Sequence, residues 1–199
     1  MRADLAIISD WIEPHSRVLD LGCGDGTLLA HLQSARGVRG YGLEIDQEKI
    51  LACIRAGVCV IHADLEAGLR DFADQSFDYV IMTQTLQAVQ HTERLLEEML
   101  RVGREGIVTF PNFGHWRCRL QLGGSGTMPV VKALPHAWYN TPNIHLFTIR
   151  DFEELCQRKR IEIRHRTVVD TTHRSSPQLR WLPNLLAELA LYRLRQRQP

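Results

Sequence analysis

No run of 18 apolar residues occurs in this sequence, so nothing in it reads as a membrane span. The start, MRADLAIISDWIEP, is too short and too acidic for a signal peptide. Neither charge sign is in excess. Lys and Arg number 24 and Asp and Glu 23, for a net charge of +1, so the composition does not point to nucleic acid or an anionic membrane. Cysteine is sparse: Cys23, Cys53, Cys59, Cys118 and Cys156 are odd in number and no two have C-x-x-C spacing. That pattern argues against a disulfide framework or a zinc site and for a reducing compartment, so the expectation is a cytoplasmic protein without metal. A P-loop is missing, because no G-K-[ST] occurs, and there is no internal repeat or low-complexity segment.

What is present is an ordinary globular balance of 44% hydrophobic and 24% charged residues over 199 positions. The length fits one domain over 1–199, since domains commonly run ~100–200 residues. The first two-thirds alternate strand-like and helix-like segments. ADLAIISDWI puts Leu5, Ile8 and Ile12 on one helical face before Pro14. SRVLDLG predicts a buried strand, TLLAHLQSA a helix closed by Gly37, and VRGYGLEI a second strand. DQEKILACIRAG predicts a helix with Asp46 as N-cap and Gly57 at its end. VCVIHADL and FDYVIMTQ predict two further strands. TERLLEEMLRVG predicts a helix with Leu95, Leu96, Met99 and Leu100 on one face and Gly103 as its terminator, and GIVTFP a fifth strand. Such alternation implies right-handed crossovers and a parallel sheet, with ligands at the carboxyl ends of the strands where strand order reverses.

Residues 113–147 break the rhythm. They are rich in Gly and Pro yet carry Trp116, Trp138 and Tyr139. An irregular segment of that length in a compact domain is usually functional, and a lid is the expectation. Regularity returns with TIRDFEELCQRKR, capped by Thr148, and with IEIRHRTVV as a sixth strand. In the tail, Leu185, Leu186 and Leu189 suit a helix, whereas Ala190, Tyr192 and Leu194 alternate as a strand would.

The stretch VLDLGCGDG carries the strongest chemical signal. Glycine lets backbone adopt unusual dihedrals and lets a ligand lie against bare main chain. The dinucleotide pattern G-x-G-x-x-G is not met, because position 27 is Thr27. What stands there is D-x-G-x-G-x-G, from Asp20 through Gly22 and Gly24 to Gly26, which resembles motif I of the class I S-adenosylmethionine-dependent methyltransferases. The next strand ends YGLEID, and a carboxylate at its tip, Glu44, can accept hydrogen bonds from both ribose hydroxyls. The third ends HADLE, where the resemblance implies that Asp64 takes the adenine amino group and Leu65 flanks the ring. It carries the cofactor contacts over to Asp20, Gly22, Cys23, Gly24, Gly26, Glu44, Ile45, Asp64, Leu65 and Gln84, with S-adenosylmethionine or S-adenosylhomocysteine as the ligand.

SRVLDLGCGDGTLLAHL, QTLQAV, EMLRVGREGIVTFPNFGHW and WYNTPNIHLFTIRDFEELC are together similar to the methionine biosynthesis protein MetW family, over nearly the whole chain. PNFGHW and WYNTPNIH are the specific parts. The resemblance implies an α/β fold with a doubly wound, mostly parallel seven-stranded sheet, helices on both faces and an insertion after strand 5. It makes LALYRLRQ the final antiparallel strand and PNLLAE a short helix. It also implies a role in methionine biosynthesis with homoserine O-acyltransferase as partner. No methyl acceptor follows from it.

Two readings of function stand beside each other. One is an accessory protein that binds S-adenosylmethionine and partners the acyltransferase. The other is a small-molecule methyltransferase, in which Gln84, Gln87, Asn112, His115, His136, Trp138, Tyr139 and His145 are the candidate acceptor-side residues and a histidine is the most plausible base. The fourth strand does not end in an N-P-P-Y-type motif, which disfavours the amide and exocyclic-amine chemistry that uses one.

Overall fold

Strands β1 (Arg17–Leu21), β2 (Arg39–Glu44), β3 (Val60–His62), β4 (Phe77–Thr83), β5 (Gly103–Pro111), β6 (Ile161–Val169) and β7 (Leu189–Gln196) form one sheet in the order β3-β2-β1-β4-β5-β7-β6. All neighbouring pairs are parallel except those made by β7, which runs antiparallel between β5 and β6. The computed structural model describes residues 3–170, 179 and 181–197. The doubly wound seven-stranded prediction holds, including the antiparallel last strand. Along β7, Ala190, Tyr192 and Leu194 enter one hydrophobic cluster and Leu189 and Leu191 the other, which is the period-2 alternation of a strand covered on both faces.

The two clusters are the two faces of the sheet. Leu5 and Ile8 of α1 (Ala3–Trp11), Leu28, Leu29 and Leu32 of α2 (Thr27–Arg36) and Cys53 of α3 (Gln47–Arg55) pack on one face. Leu95, Leu96 and Met99 of α4 (Thr92–Val102) and Phe152 and Cys156 of α6 (Ile149–Arg158) pack on the other. The caps are those the sequence signals. Asp46 accepts from the Glu48 and Lys49 amides, and Thr148 forms a capping box with Asp151.

Two elements depart from expectation. Gly103 ends α4, as the sequence signals, but the strand after it starts early. Gly103 has φ −101° and opens β5 directly, three residues ahead of the predicted start. A β-carbon there would lie 2.6 Å from Val80 Cγ2, so glycine serves close strand packing. The second is α5 (Trp116–Ser125), a ten-residue helix inside the segment expected to be irregular. His115 caps it through its ring, Gly126 ends it with φ 67°, and of its residues only Cys118 is buried. With no apolar stripe and two glycines, it gave no periodic signal.

The 113–147 segment is fastened at both ends. Asn112 donates to the Asn184 and Ala187 carbonyls at 3.2 and 2.8 Å and accepts from the Gly114 and Ile149 amides at 3.0 and 3.3 Å. At the far end Phe147 joins Phe110, Phe152 and Tyr192 in an aromatic cluster.

Candidate functional site

Strand order reverses at β1. The chain builds β2 and β3 to one side of it and then crosses to β4 on the other. A crevice therefore opens at the carboxyl ends of β1 and β4. Asp20 and the glycine turn enter it from β1, Glu44 from β2, and Gln84 from β4.

Gly22, Gly24 and Gly26 all have positive φ, at 72°, 60° and 78°. They answer to different neighbours. A β-carbon on Gly22 would come within 2.7 Å of Thr85 Oγ1, and one on Gly26 within 3.0 Å of Cys53 Sγ. One on Gly24 would meet nothing within 4 Å. Two of the glycines thus fit the turn to the fold, and Gly24 turns bare backbone toward open space, where a ligand can lie against it.

Glu44 is held beside that opening. Its Oε2 accepts from the Gly24 amide at 2.9 Å, and its Oε1 accepts from the Ile45 and Asp46 amides at 2.9 and 3.0 Å. A carboxylate offers about four lone-pair positions, so three are taken and one on Oε2 remains. Asp20 is the opposite case. It is fully buried, and neither of its carboxylate oxygens has a hydrogen-bond partner. Burial, and then the nearby Glu44 carboxylate, push its pKa up to about 7. An unpartnered buried carboxylate at a strand tip is an electrostatic deficit that a cationic ligand group can fill.

Cys23 turns inward. Its sulfur lies where a side chain on Gly42 would stand and 3.7 Å from Cys53 Sγ, so only its backbone lines the turn. Burial and then Asp20 push its thiol well above the ordinary range. At the tip of β3, Asp64 uses Oδ1 to cap the Glu66 amide at 2.9 Å and is otherwise exposed. Leu65 follows, half-buried, and Ile45 beside Glu44 is 56% exposed. At the tip of β4, Gln84 has φ 52°, a conformation costly for a non-glycine residue, and its amide is clamped by the carbonyl and hydroxyl of Thr109 at 2.9 and 3.1 Å.

The candidate acceptor-side residues separate into fastened and exposed groups. All four hydrogen-bonding positions of the Asn112 carboxamide are used within the fold. His115 is 4% exposed, and its Nδ1 accepts the Arg117 amide at 3.4 Å, which leaves the proton on Nε2, 3.9 Å from Glu188 Oε1. Burial, and then Arg117, lower its pKa. The ring caps α5 and offers no lone pair as a base. Gln87 donates to the Gln84 carbonyl at 2.8 Å, its own carbonyl accepts the Ile144 and His145 amides, and its Oε1 is buried without a partner. His145 Nε2 sits 3.1 Å from the Gln90 carbonyl. His136, Trp138 and Tyr139 stand on the surface.

Sequence reasoning missed Cys53, whose thiol donates to the Gly24 carbonyl at 3.1 Å, and Thr85 and Thr109, which seat Gly22 and Gln84. These contacts join α3 to the β1 turn and β5 to the β4 tip, and no local pattern announces them. Among the described residues no group of three or more His, Cys, Asp or Glu could hold a metal ion, and no helix is long and apolar enough to cross a membrane.

The family model for "Methionine biosynthesis protein MetW" matches residues 2–194. The chain belongs to the MetW family. It is 38% identical over 202 residues to the bifunctional methionine biosynthesis protein MetXA/MetW of Rhodopirellula baltica, covering 96% of this chain and 32% of that relative. The chain thus spans about a third of that relative's length. Among solved structures, an S-adenosylmethionine-dependent methyltransferase from Mesorhizobium loti superposes with a TM-score of 0.70 at 17% identity, over 97% of each chain. The [4+2]-cyclase SpnF superposes with a TM-score of 0.68 at 16% identity, over 99% of this chain and 81% of its own. These likenesses establish the class I methyltransferase fold. The MetW family adds the link to methionine biosynthesis.

Proposed function

We propose that this MetW protein binds S-adenosylmethionine at the tips of β1 to β4 and acts with homoserine O-acyltransferase as an accessory or regulatory partner in methionine biosynthesis. The observation that carries the nucleoside reading is the pairing of Gly24, open to space, with the Glu44 carboxylate beside it at the switch point. Each ligand group has a counterpart. Asp20 supplies the negative charge that an ammonium or sulfonium complements. Glu44 takes one ribose hydroxyl on its remaining lone pair, and the second hydroxyl competes with the Gly24 amide for Oε2. Ile45 and Leu65 flank the adenine, the uncommitted Asp64 oxygen accepts its amino group, and Gln84 closes the β4 side. When bound, the ligand supplies an electrophilic methyl group. The protein's own part is to orient it and to shield Asp20 from water.

The partner is supported by the relative named MetXA/MetW, in which a MetW unit shares a chain with a second unit. The setting that goes with this role is cytoplasmic. The deciding experiment mixes the purified protein with the acyltransferase and follows acyl transfer with and without S-adenosylmethionine. An unchanged rate under all conditions removes the accessory role, and calorimetry that shows no nucleoside binding removes the ligand.

Methyl transfer to a small-molecule acceptor is the second reading. It is favoured by a groove of about 720 Å³ between α4 and α6, with Leu86, Phe147 and Phe152 among its apolar lining and Gln90, His91 and His145 among its polar lining. The fold does not decide between the two readings, because it also carries a cyclase. Acceptor-dependent production of S-adenosylhomocysteine would establish the second. The His115 ring, whose one lone pair caps α5, weighs against that histidine as the base.

A further inference from the structure

Between Glu105 and Asp151 the sequence contains no acidic residue, yet it holds Arg117, Arg119, Lys132 and Arg150. All four are exposed; Arg117 lies 4.0 Å from Glu188, and Arg119 donates to the Gly114 carbonyl. Over the same stretch large apolar side chains turn outward. Trp138 and Tyr139 are each 74% exposed and Leu120 is 65% exposed. The two aromatic rings stand edge to face with centroids 5.8 Å apart, and Arg117 lies over the Trp116 ring at 5.4 Å. Asn112 and Phe147 fix both ends of the segment to the core, so these side chains are displayed on an anchored support.

Exposed tryptophan, tyrosine and arginine are the residue types that dominate the centres of protein interfaces, whereas lone exposed leucines are ordinary. We propose that the outer surface of residues 116–146 is a docking face for a protein partner that presents acidic groups around an apolar socket for Trp138 and Tyr139. On the accessory reading given above, on which this rests, that partner is the homoserine O-acyltransferase. The charge argues for an acidic partner and against a second copy of this chain, since a two-fold contact would set one acid-free segment against another. Single-stranded nucleic acid is disfavoured for a different reason. Bases stack on open aromatic faces along a basic groove. Here the edge of one ring is turned to the face of the other.

The experiment measures acyltransferase affinity for three proteins: wild type, Trp138→Ala/Tyr139→Ala, and Arg117→Glu/Lys132→Glu. Calorimetry with S-adenosylmethionine alone and a thermal melt accompany each. The aromatic variant is expected to lose about 30-fold or more in partner affinity, with nucleoside affinity and melting unchanged. Charge reversal is expected to slow association and to flatten its salt dependence. Wild-type affinity in the aromatic variant would overturn the docking face and leave the accessory role standing. If the wild type does not bind the acyltransferase, both fall. Loss of nucleoside affinity in the aromatic variant, without partner present, would make the segment a lid instead. Retention of a single-stranded RNA by the wild type alone would assign the face to nucleic acid and overturn the proposal.

Discussion

Asp20→Asn separates what this carboxylate does to the fold from what it does for a ligand. In the folded protein the side chain is fully buried, lacks hydrogen-bond partners and holds its proton up to about pH 7, against an ordinary 3.8. The unfolded chain gives that proton up near pH 4. Between these values the folded state binds one proton more than the unfolded, so stability falls as pH rises. The contribution is complete below pH ~4 and lost once the pH passes ~7. The rise from 3.8 to about 7 corresponds to about 4 kcal/mol in full, and to about 2 kcal/mol over the accessible window from pH 5 to 7, because the group is half titrated at pH 7. Asparagine cannot ionise. The cost of burying its amide does not vary with pH, so it cancels when the two proteins are compared across pH. Urea melts of both at pH 5, 6, 7 and 8 give the test. The stability of the wild type relative to the variant should fall by about 2 kcal/mol from pH 5 to 7 and level off near pH 8. A difference that does not change with pH would mean that Asp20 ionises normally, and the account of it as an uncompensated buried charge would be wrong.

The same carboxylate ties stability to ligand binding. A cation placed near Asp20 draws its pKa down, so binding at pH 6.5 should release a proton. Calorimetry in two buffers of different ionisation enthalpy would then give different apparent heats. Equal heats would separate Asp20 from the ligand.

Glu44→Ala should weaken S-adenosylmethionine binding by on the order of 1–3 kcal/mol, read by calorimetry, and should also lower stability because three backbone amides lose their acceptor. Asn112→Ala should lower stability by on the order of 2–4 kcal/mol in urea melts, since it breaks four hydrogen bonds, three of them buried, among the end of β5, the 113–147 segment, α6 and the residues before β7. In native protein a thiol reagent should modify one cysteine quickly, the exposed Cys59. Cys23, Cys53, Cys118 and Cys156 are buried, and burial raises the pKa of each, so rapid modification of more than one would contradict their packing.

The sheet was legible because its strands are short apolar runs that end in a turn glycine or a tip carboxylate, and because its helices carry either an apolar stripe or a good cap. Asp46 and Thr148 are such caps. The helix α5 was not legible. It starts from a histidine cap, holds two glycines and buries only Cys118, so neither periodicity nor capping residues mark it. At the site, the motif from Asp20 to Gly26 and the carboxylate of Glu44 could be read from residue type and order. Their division of labour could not. That Gly22 and Gly26 seat Thr85 and Cys53, while Gly24 alone faces open space, depends on which elements the sheet brings together. The histidines illustrate the same limit. His115 reads as a candidate base, but its one lone pair already accepts the Arg117 amide, and His145 is tied to the Gln90 carbonyl; only the three-dimensional arrangement shows either contact.

A short piece of chain connects the proposed nucleoside crevice to the proposed docking face. Gln84 ends β4 in a left-handed conformation beside the crevice, and three residues on the Gln87 carbonyl accepts the amides of both Ile144 and His145. Gln87 also reaches back to the Gln84 carbonyl, so the two glutamines form one clasp between the crevice and the 113–147 segment. The unpartnered Gln87 Oε1 marks this clasp as incompletely satisfied. A ligand that pulls on Gln84 must therefore act on residues 144–145, and a partner seated on that segment must act on Gln84. The prediction is a coupling between nucleoside and acyltransferase binding, and linkage makes it reciprocal. Couplings of ~1–3 kcal/mol change affinity by roughly 5- to 150-fold. Titrating the nucleoside with and without saturating acyltransferase measures the factor. Titrating the acyltransferase with and without nucleoside must return the same one. Gln87→Ala, which keeps the carbonyl but removes the side-chain link to Gln84, should shrink that factor while both ligands still bind. Equal affinities in the wild type under all conditions would mean that the clasp joins the two regions mechanically without coupling them energetically.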